Sequence, residues 1–99
     1  MAKPKIIWSN RAKIKRYEIL RYFITRNKNT TYSKKLNTKI NSELRLLIKN
    51  PQLGLKTDIP EIRGLVIGNY ILFYEAINDD IYIHYIWDSR QNPDDLIIK

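Results

Sequence analysis

Apolar residues recur along the chain at two spacings, one typical of helices and one typical of strands. Between residues 10 and 26, apolar positions three or four residues apart predict a first helix, with Arg16 as a polar exception in the stripe. Ser9 or Asn10 is the predicted N-cap, because a side-chain oxygen there can accept a free backbone N–H. A second stripe predicts a longer helix ending before Pro51, because the residue before proline disfavours helical geometry. That stripe consists of Tyr32, Leu36, Ile40, Leu44, Leu47 and Ile48.

The C-terminal half contains short runs of β-branched and aromatic residues divided by polar turns. Gly68-Asn69 and Asn78-Asp79-Asp80 separate these runs, and such residues tolerate the positive φ of hairpin turns. We therefore expect three antiparallel strands, at roughly residues 61–67, 70–77 and 81–87. A short first strand is expected at residues 5–8, paired with the strand near Ile71. Residues 51–60 predict a loop between two prolines.

The element order β-α-α-β-β-β predicts an α+β fold in which a two-helix hairpin packs on a four-stranded, mainly antiparallel sheet. A chain of 99 residues suits one domain, which we expect to span residues 1–99. A one-residue slip in register would invert the two faces of any strand. The strand residues expected to face the helices are Leu65, Ile67, Ile71, Phe73, Ile81 and Ile83.

Charge is distributed unevenly along the chain. Residues 1–56 hold 15 Lys or Arg and 2 acids, a net charge of +13, whereas residues 57–99 hold 3 basic and 8 acidic residues, a net charge of −5. Such a dipolar surface can steer the protein towards a polyanion or an acidic partner. The alternative is a basic surface that serves only solubility.

Several classes of protein are disfavoured by the sequence. There is no cysteine, which excludes a disulfide framework and a thiolate metal site. Glycine-rich phosphate loops and the common hydrolase motifs are absent, and no apolar run reaches the roughly 20 residues that span a bilayer. The start, Met1-Ala2-Lys3-Pro4, lacks the features of a signal peptide. We therefore expect a cytoplasmic protein with no cofactor, no metal, no membrane association and no small-molecule substrate.

Metal-independent RNA cleavage would require a base for the 2′-hydroxyl, cations for the phosphate and an acid for the leaving oxygen. Arg63 and Arg90 are the candidate cations, because a guanidinium binds phosphate through two parallel hydrogen bonds. Tyr74, Tyr85 and the single histidine, His84, are candidate acids or bases. In the alternative, structural interpretation, His84 is half-buried in the sheet and the two arginines pair with carboxylates. The candidate carboxylates are Asp58, Glu61, Glu75 and Asp88.

Short motifs follow one another in a fixed order along nearly the whole chain. They begin with Ile7-Trp8-Ser9, continue through Asn50-Pro51 at the end of the second helix, and are most specific in the last third. There they are Arg63-Gly64-Leu65, Gly68-Asn69-Tyr70, Phe73-Tyr74-Glu75 and Ile86-Trp87-Asp88-Ser89-Arg90-Gln91-Asn92-Pro93. In this order and spacing the chain resembles the RelE/ParE superfamily of toxins from bacterial type II toxin–antitoxin systems.

The resemblance implies a growth-inhibiting toxin that is neutralised by a cognate antitoxin encoded next to it. RelE-like members cut mRNA in the ribosomal A site, whereas ParE-like members inhibit DNA gyrase without cutting RNA. RelE-type nucleases usually carry an arginine directly after the tyrosine of the third strand, but Tyr70 is followed here by Ile71. An aliphatic residue at that position resembles ParE-like chains, so the ParE-like side is favoured.

The leading interpretation is a toxin that inhibits growth by binding a macromolecular target such as DNA gyrase. The residues expected to contact the target or the antitoxin are Arg63, Tyr85, Trp87 and Arg90. The alternative is an enzyme, a ribosome-dependent mRNA endonuclease. Its catalytic residues would be Arg63, Tyr74, His84 and Arg90. A third interpretation is a basic nucleic-acid-binding module that needs no antitoxin.

Overall fold

The computed structural model describes residues 3–90. Residues 1–2 of the chain start and residues 91–93 of the last motif lie outside the described residues. Within residues 3–90 there are two helices and five strands. In chain order they are β1 (Ile6–Trp8), α1 (Asn10–Asn27), α2 (Thr31–Lys49), β2 (Leu55–Lys56), β3 (Arg63–Ile67), β4 (Tyr70–Ile77) and β5 (Asp80–Asp88).

The two helices form a hairpin that packs on one face of the sheet. α1 follows Ser9, whose Oγ accepts a hydrogen bond from the backbone N–H of Ala12 at 3.0 Å, so the predicted N-cap is confirmed. α2 ends at Lys49, directly before Asn50-Pro51, as the sequence predicts. Tyr32, in the first turn of α2, packs its ring against Phe23 but remains 43% exposed.

The strands lie in the order β1-β5-β4-β3-β2. β3, β4 and β5 are antiparallel neighbours, as predicted. The expected pairing of the first strand with the strand near Ile71 is wrong: β1 runs parallel to β5, with Ile7 opposite Tyr82. The reason is topological, because the hairpin partners β3 and β5 occupy both edges of β4. β5 therefore offers the edge to which β1 can bond.

The predicted loop at residues 51–60 contains a fifth strand, so the sheet is five-stranded and mixed rather than four-stranded. In β2, Leu55 lies opposite Gly64 and Lys56 lies opposite Arg63. Both β2 residues are exposed. A two-residue exposed strand has no alternation of apolar and polar positions, which is why the hydrophobic pattern does not reveal it.

The main core lies between the helices and the sheet, and four of the predicted strand residues contribute to it: Leu65, Ile67, Ile81 and Ile83. On β4 the prediction is inverted. Tyr70, Leu72 and Tyr74 belong to the helix-side core, whereas Ile71 and Phe73 belong to the opposite face. Residues 70–74 are all apolar or aromatic, so this part of β4 lacks the polar alternation that would distinguish its two faces.

A β-bulge shifts the pairing of β4 and β5 between Phe73 and Tyr74. Tyr74 lies opposite Ile83, but Phe73 lies opposite Tyr85, so His84 is the extra residue of the bulge. The β5 side chains that face the helices therefore change from odd-numbered positions (Ile81 and Ile83) to an even-numbered one (Ile86) after the bulge. As a result, Tyr85 lies on the face away from the helices, where Trp87 also packs.

Candidate functional sites

Arg63 and Tyr74 lie opposite each other on β3 and β4, close to the loop that follows α2. Nη1 of Arg63 donates to the carbonyl of Gly54 at 2.9 Å. The Tyr74 side chain is fully buried, and its hydroxyl donates to the carbonyl of Pro51 and accepts from the N–H of Gly54, both at 2.8 Å. Burial raises the pKa of Tyr74 above its ordinary value, which keeps the phenol protonated. These contacts fit an anchor for the loop better than an exposed acid or base.

Gly54 contacts the Tyr74 ring so closely that no side chain fits between them. A Cβ on Gly54 would lie 2.7 Å from Cε1 and 2.8 Å from the hydroxyl oxygen of Tyr74. Distances below 3.0 Å require displacement of one partner, and a buried ring has little room to move. Glycine at this position therefore permits the two hydrogen bonds that fix Tyr74 and the loop.

His84 is half-buried and pairs with Glu75. The distance from Nε2 of His84 to Oε1 of Glu75 is 2.9 Å. Glu75 follows Tyr74 in β4, so its side chain points to the other face of the sheet. The pair is consistent with the structural interpretation of the sequence, in which His84 is a half-buried sheet residue, and it does not place the imidazole beside the Tyr74 hydroxyl.

Arg90 follows β5 and is held by Asp88 through two hydrogen bonds. Nε donates to Oδ1 at 3.0 Å and Nη2 donates to Oδ2 at 2.8 Å. These bonds lower the pKa of the Asp88 carboxyl and raise that of the guanidinium. The structural pairing of Arg90 with Asp88 is confirmed. The Arg90 side chain nevertheless remains 54% exposed, so other faces of its guanidinium are accessible to a partner.

The four nuclease candidates do not form one cluster in the described part of the chain. Arg63 lies beside Tyr74, whereas Asp88, the partner of Arg90, lies opposite Tyr70. Four residues of β4 separate these positions, which corresponds to about 13 Å along the strand. In addition, the Tyr74 hydroxyl and the His84–Glu75 pair lie on opposite faces of the sheet, so the sheet itself separates these two candidates. The candidate cations, acid and base are thus dispersed over both faces of the sheet and along the length of β4 from Tyr70 to Tyr74.

The sheet face away from the helices carries a second apolar cluster, which we call the outer sheet face. It consists of the buried Ile62, Phe73 and Trp87, with Ile59, Ile71 and Tyr85 packed around them. Only 6% of the Trp87 surface is accessible to solvent, so Trp87 packs beneath the more exposed residues of the outer sheet face. Tyr85 is more open, and the guanidinium carbon of Arg11 lies 4.3 Å from its ring centroid. Of the two aromatic residues predicted to contact a partner, Tyr85 is therefore the more accessible.

Two pockets on the flanks of α1 contain residues that the sequence analysis did not assign to a site. A cleft of about 420 Å³ brings Lys15, Glu18 and Tyr22 of α1 next to Asp88 and Arg90. Arg90 and residues of α1 thus line one cleft, a proximity that only the tertiary structure reveals. A second pocket, of about 270 Å³, surrounds Arg16. The sequence signal for the second pocket is the arginine within an apolar stripe.

Within residues 3–90 no group of three or more His, Cys, Asp or Glu side chains is arranged to hold a metal ion. Neither helix in this range is long and apolar enough to cross a membrane.

The chain is similar in fold to solved toxin structures. These include the chromosomal ParDE system from P. aeruginosa (TM-score 0.69, 16% identity, 85% of this chain and 94% of the other). They also include a YoeB dimer from Staphylococcus aureus (TM-score 0.59, 23% identity, 85% and 94%) and a YoeB–YefM complex from the same organism (0.56, 24%, 86% and 95%). No curated protein sequence is a significant match. At these identities the structural likeness concerns the fold alone.

The sequence itself matches a family model. Residues 6–93 match the family described as the ParE toxin of the type II toxin–antitoxin system parDE. The matched range begins at β1 and includes both helices and all five described strands. The resemblance to the RelE/ParE superfamily that the motifs carry is thereby confirmed, and the chain belongs to the ParE toxin family of type II toxin–antitoxin systems.

Proposed function

We propose that this protein, acting as a single cytoplasmic domain, inhibits growth by binding a macromolecular target such as DNA gyrase. Membership of the ParE toxin family supports the toxin role. The observation that favours binding over RNA cleavage is the dispersal of the candidate catalytic side chains. The Tyr74 hydroxyl is buried and bonded twice, His84 is paired with Glu75, and Arg90 is paired with Asp88.

A cognate antitoxin encoded next to this chain is the proposed protein partner. The solved YoeB–YefM structures from S. aureus contain a toxin with its antitoxin, which supports the same arrangement here. The charge distribution supports it as well, because residues 1–56 carry a net charge of +13. An acidic partner segment would be attracted to this surface and would associate rapidly.

Arg90 is the proposed centre of the target-binding surface. Arg90 is more exposed than Asp88, its partner in the ion pair, and Asp88 holds the guanidinium in one orientation. An ordered side chain loses less entropy when it binds a partner. Lys15 and Tyr22 line the adjoining cleft and extend this surface along α1. Arg63 and Tyr85 remain proposed contacts outside this cleft, Arg63 beside Tyr74 and Tyr85 on the outer sheet face.

Two assays on the purified protein test the mechanism. We expect it to slow DNA supercoiling by gyrase and to leave mRNA on programmed ribosomes intact in a toeprinting assay. Arg90→Ala should weaken gyrase inhibition. Arg45→Ala should not, because it removes an exposed arginine of α2 that, among residues 3–90, bonds to Ser42 alone. New cleavage ends in the ribosomal A site that disappear in Arg63→Ala or Arg90→Ala would refute the binding mechanism and establish the nuclease.

Growth assays test the toxin role independently of the target. Expression of the chain alone should stop bacterial growth, and co-expression of the neighbouring gene should restore it. Normal growth despite verified soluble expression would show that this chain is not an active toxin.

A further inference from the structure

Arg16 is a partly buried cation whose partners in the described structure are all neutral. Its Nη2 donates to Oδ1 of Asn37 at 2.5 Å and to Oδ1 of Asn41 at 3.1 Å. The guanidinium carbon lies 4.7 Å from the centroid of the Trp8 ring. Among residues 3–90 no carboxylate pairs with Arg16. Burial lowers the pKa of Arg16 below its ordinary value, but an arginine remains protonated at neutral pH.

A charge removed from water without a counter-charge is costly, so an anion at this position would be favourable. Amide oxygens and an aromatic face supply only partial negative charge to the guanidinium. The two asparagines fix its orientation without neutralising it. Arg16 is therefore an oriented positive charge that retains its capacity to bind an anion.

The pocket beside Arg16 has walls that suit one kind of ligand. Trp8, Lys13, Tyr17 and Leu20 line it together with Arg16. Lys13 supplies a second cation, and the other three supply two aromatic rings and an aliphatic side chain. Tyr17 is 63% exposed, so the aromatic wall is accessible from solvent. This combination complements a carboxylate that is followed closely by an apolar group.

We propose that this Arg16 pocket binds an acidic side chain of the antitoxin, with a neighbouring apolar antitoxin side chain packed on Trp8 and Tyr17. The inference rests on the proposed function, because it deepens the role of the antitoxin as partner. The positive charge of residues 1–56 attracts an acidic segment, and the pocket gives that segment a fixed position. A nucleic acid is less well matched, because its repeating phosphates favour a line of cations rather than two cations among apolar walls.

Asn41→Asp tests the proposal by supplying the missing carboxylate from the protein itself. The substitution places a negative charge about 3.1 Å from Nη2 of Arg16 and should compete with the antitoxin carboxylate. Ser42→Asp is the matched control, because it adds the same charge on the same helix beside Arg45, whose Nη2 lies 3.2 Å from the Ser42 hydroxyl. If antitoxin binding depended only on the net positive charge, both substitutions would weaken it equally.

Isothermal titration with the purified product of the neighbouring gene gives the readout. Asn41→Asp should bind at least about tenfold more weakly than Ser42→Asp while its thermal unfolding midpoint is unchanged or higher. Equal affinities of the two variants would overturn the proposal, as would an Asn41→Asp defect accompanied by unfolding. If Asn41→Asp instead selectively weakened binding of a DNA duplex, the pocket would be a phosphate site and the assignment to an acidic protein segment would be wrong.

Arg16→Lys provides a second variant that retains the charge and removes the planar donor group. It should weaken antitoxin binding, because one ammonium cannot reproduce the orientation of the guanidinium. Growth inhibition by the wild-type chain is measured separately. A toxic wild-type chain whose neutralisation is unaffected by Asn41→Asp would refute the pocket alone, whereas a wild-type chain without toxicity would refute the proposed function.

Discussion

Replacement of Tyr74 by phenylalanine separates a structural role of this residue from a catalytic one. The substitution removes a single hydroxyl, which accepts a hydrogen bond from the Gly54 N–H and donates one to the Pro51 carbonyl, both at 2.8 Å. The ring and its packing remain. The expected loss of stability therefore arises from two backbone groups that lose their partner.

The magnitude follows from the burial of those two groups. A buried donor or acceptor left unpaired costs about 1–3 kcal/mol. Gly54 is buried, whereas Pro51 is partly accessible, so water can replace the bond at Pro51 more readily than the bond at Gly54. We therefore expect Tyr74→Phe to lower the free energy of unfolding by about 1–3 kcal/mol. For a domain of this size, this corresponds to a decrease of roughly 1–2 M in the urea midpoint.

Urea denaturation followed by circular dichroism measures this difference, with Tyr17→Phe as the control. Tyr17 is largely exposed, so loss of its hydroxyl should change the free energy of unfolding by less than about 0.5 kcal/mol. Equal midpoints for the two variants would refute the loop-anchor role of Tyr74. A stable Tyr74→Phe protein that had lost A-site cleavage would show instead that the hydroxyl takes part in a reaction.

Four further substitutions test the packing and the charge of the fold. Leu44→Ala should lower the free energy of unfolding by about 2–5 kcal/mol, because Leu44 is buried in the main core. Lys39→Ala, at an exposed position of α2, should change the free energy of unfolding by less than about 0.5 kcal/mol. The urea midpoints of the two variants measure this difference. Gly54→Ala should destabilise the fold by about 1–3 kcal/mol, since its Cβ would lie 2.7 Å from the Tyr74 ring, and the thermal midpoint reports this. The pKa of Asp88 is lowered in the folded state, so the Asp88–Arg90 pair stabilises the fold fully at a pH above the unfolded-state pKa of about 3.9. This stabilisation is lost as the pH falls through the lower, folded-state pKa of Asp88. The stability difference between wild type and Asp88→Asn should therefore shrink in acid titrations followed by fluorescence.

The helices were predictable from the sequence because each has a continuous apolar stripe and a recognisable end. Ser9 and Pro51 mark two of these ends, and their effects are local. Tyr32 belongs to the apolar stripe of α2 and yet stays exposed, for a geometric reason. Its ring contacts Phe23, with centroids 4.5 Å apart, but the first turn of α2 lies at the margin of the core and leaves much of the side chain exposed.

The sheet was less predictable because its details depend on partners distant in sequence. Residues 70–74 of β4 are apolar or aromatic on both faces. The local sign that Tyr70 rather than Ile71 faces the helices is Glu75, which shares the face of Ile71 and Phe73. The bulge at His84 changes the alternation of β5, and no turn residue in the sequence marks it. β2 is too short and too exposed to produce a pattern of its own. These features could be assigned only once the strands were paired.

The same dependence on register explains why the sequence could not predict how the candidate site residues are grouped in space. Arginine, tyrosine and histidine are chemically suited to phosphate chemistry, and the sequence places all of them in strands or directly after one. Whether they cooperate depends on which face each side chain occupies. Arg63 lies opposite Tyr74, whereas Asp88, the partner of Arg90, lies opposite Tyr70. These positions are four residues apart along β4, which no motif could show.

α1 connects the two surfaces that the proposals assign to different partners. Lys13, Arg16 and Tyr17 belong to the Arg16 pocket, whereas Lys15 and Tyr22 line the cleft beside Arg90. Residues three or four apart share one face of a helix, and residues one or two apart do not, so these sets occupy opposite flanks of α1. An antitoxin segment fixed at the Arg16 pocket must therefore cross α1 to cover Arg90. We expect a truncated antitoxin that fills only the Arg16 pocket to bind without neutralising, because the target surface on the other flank would remain open.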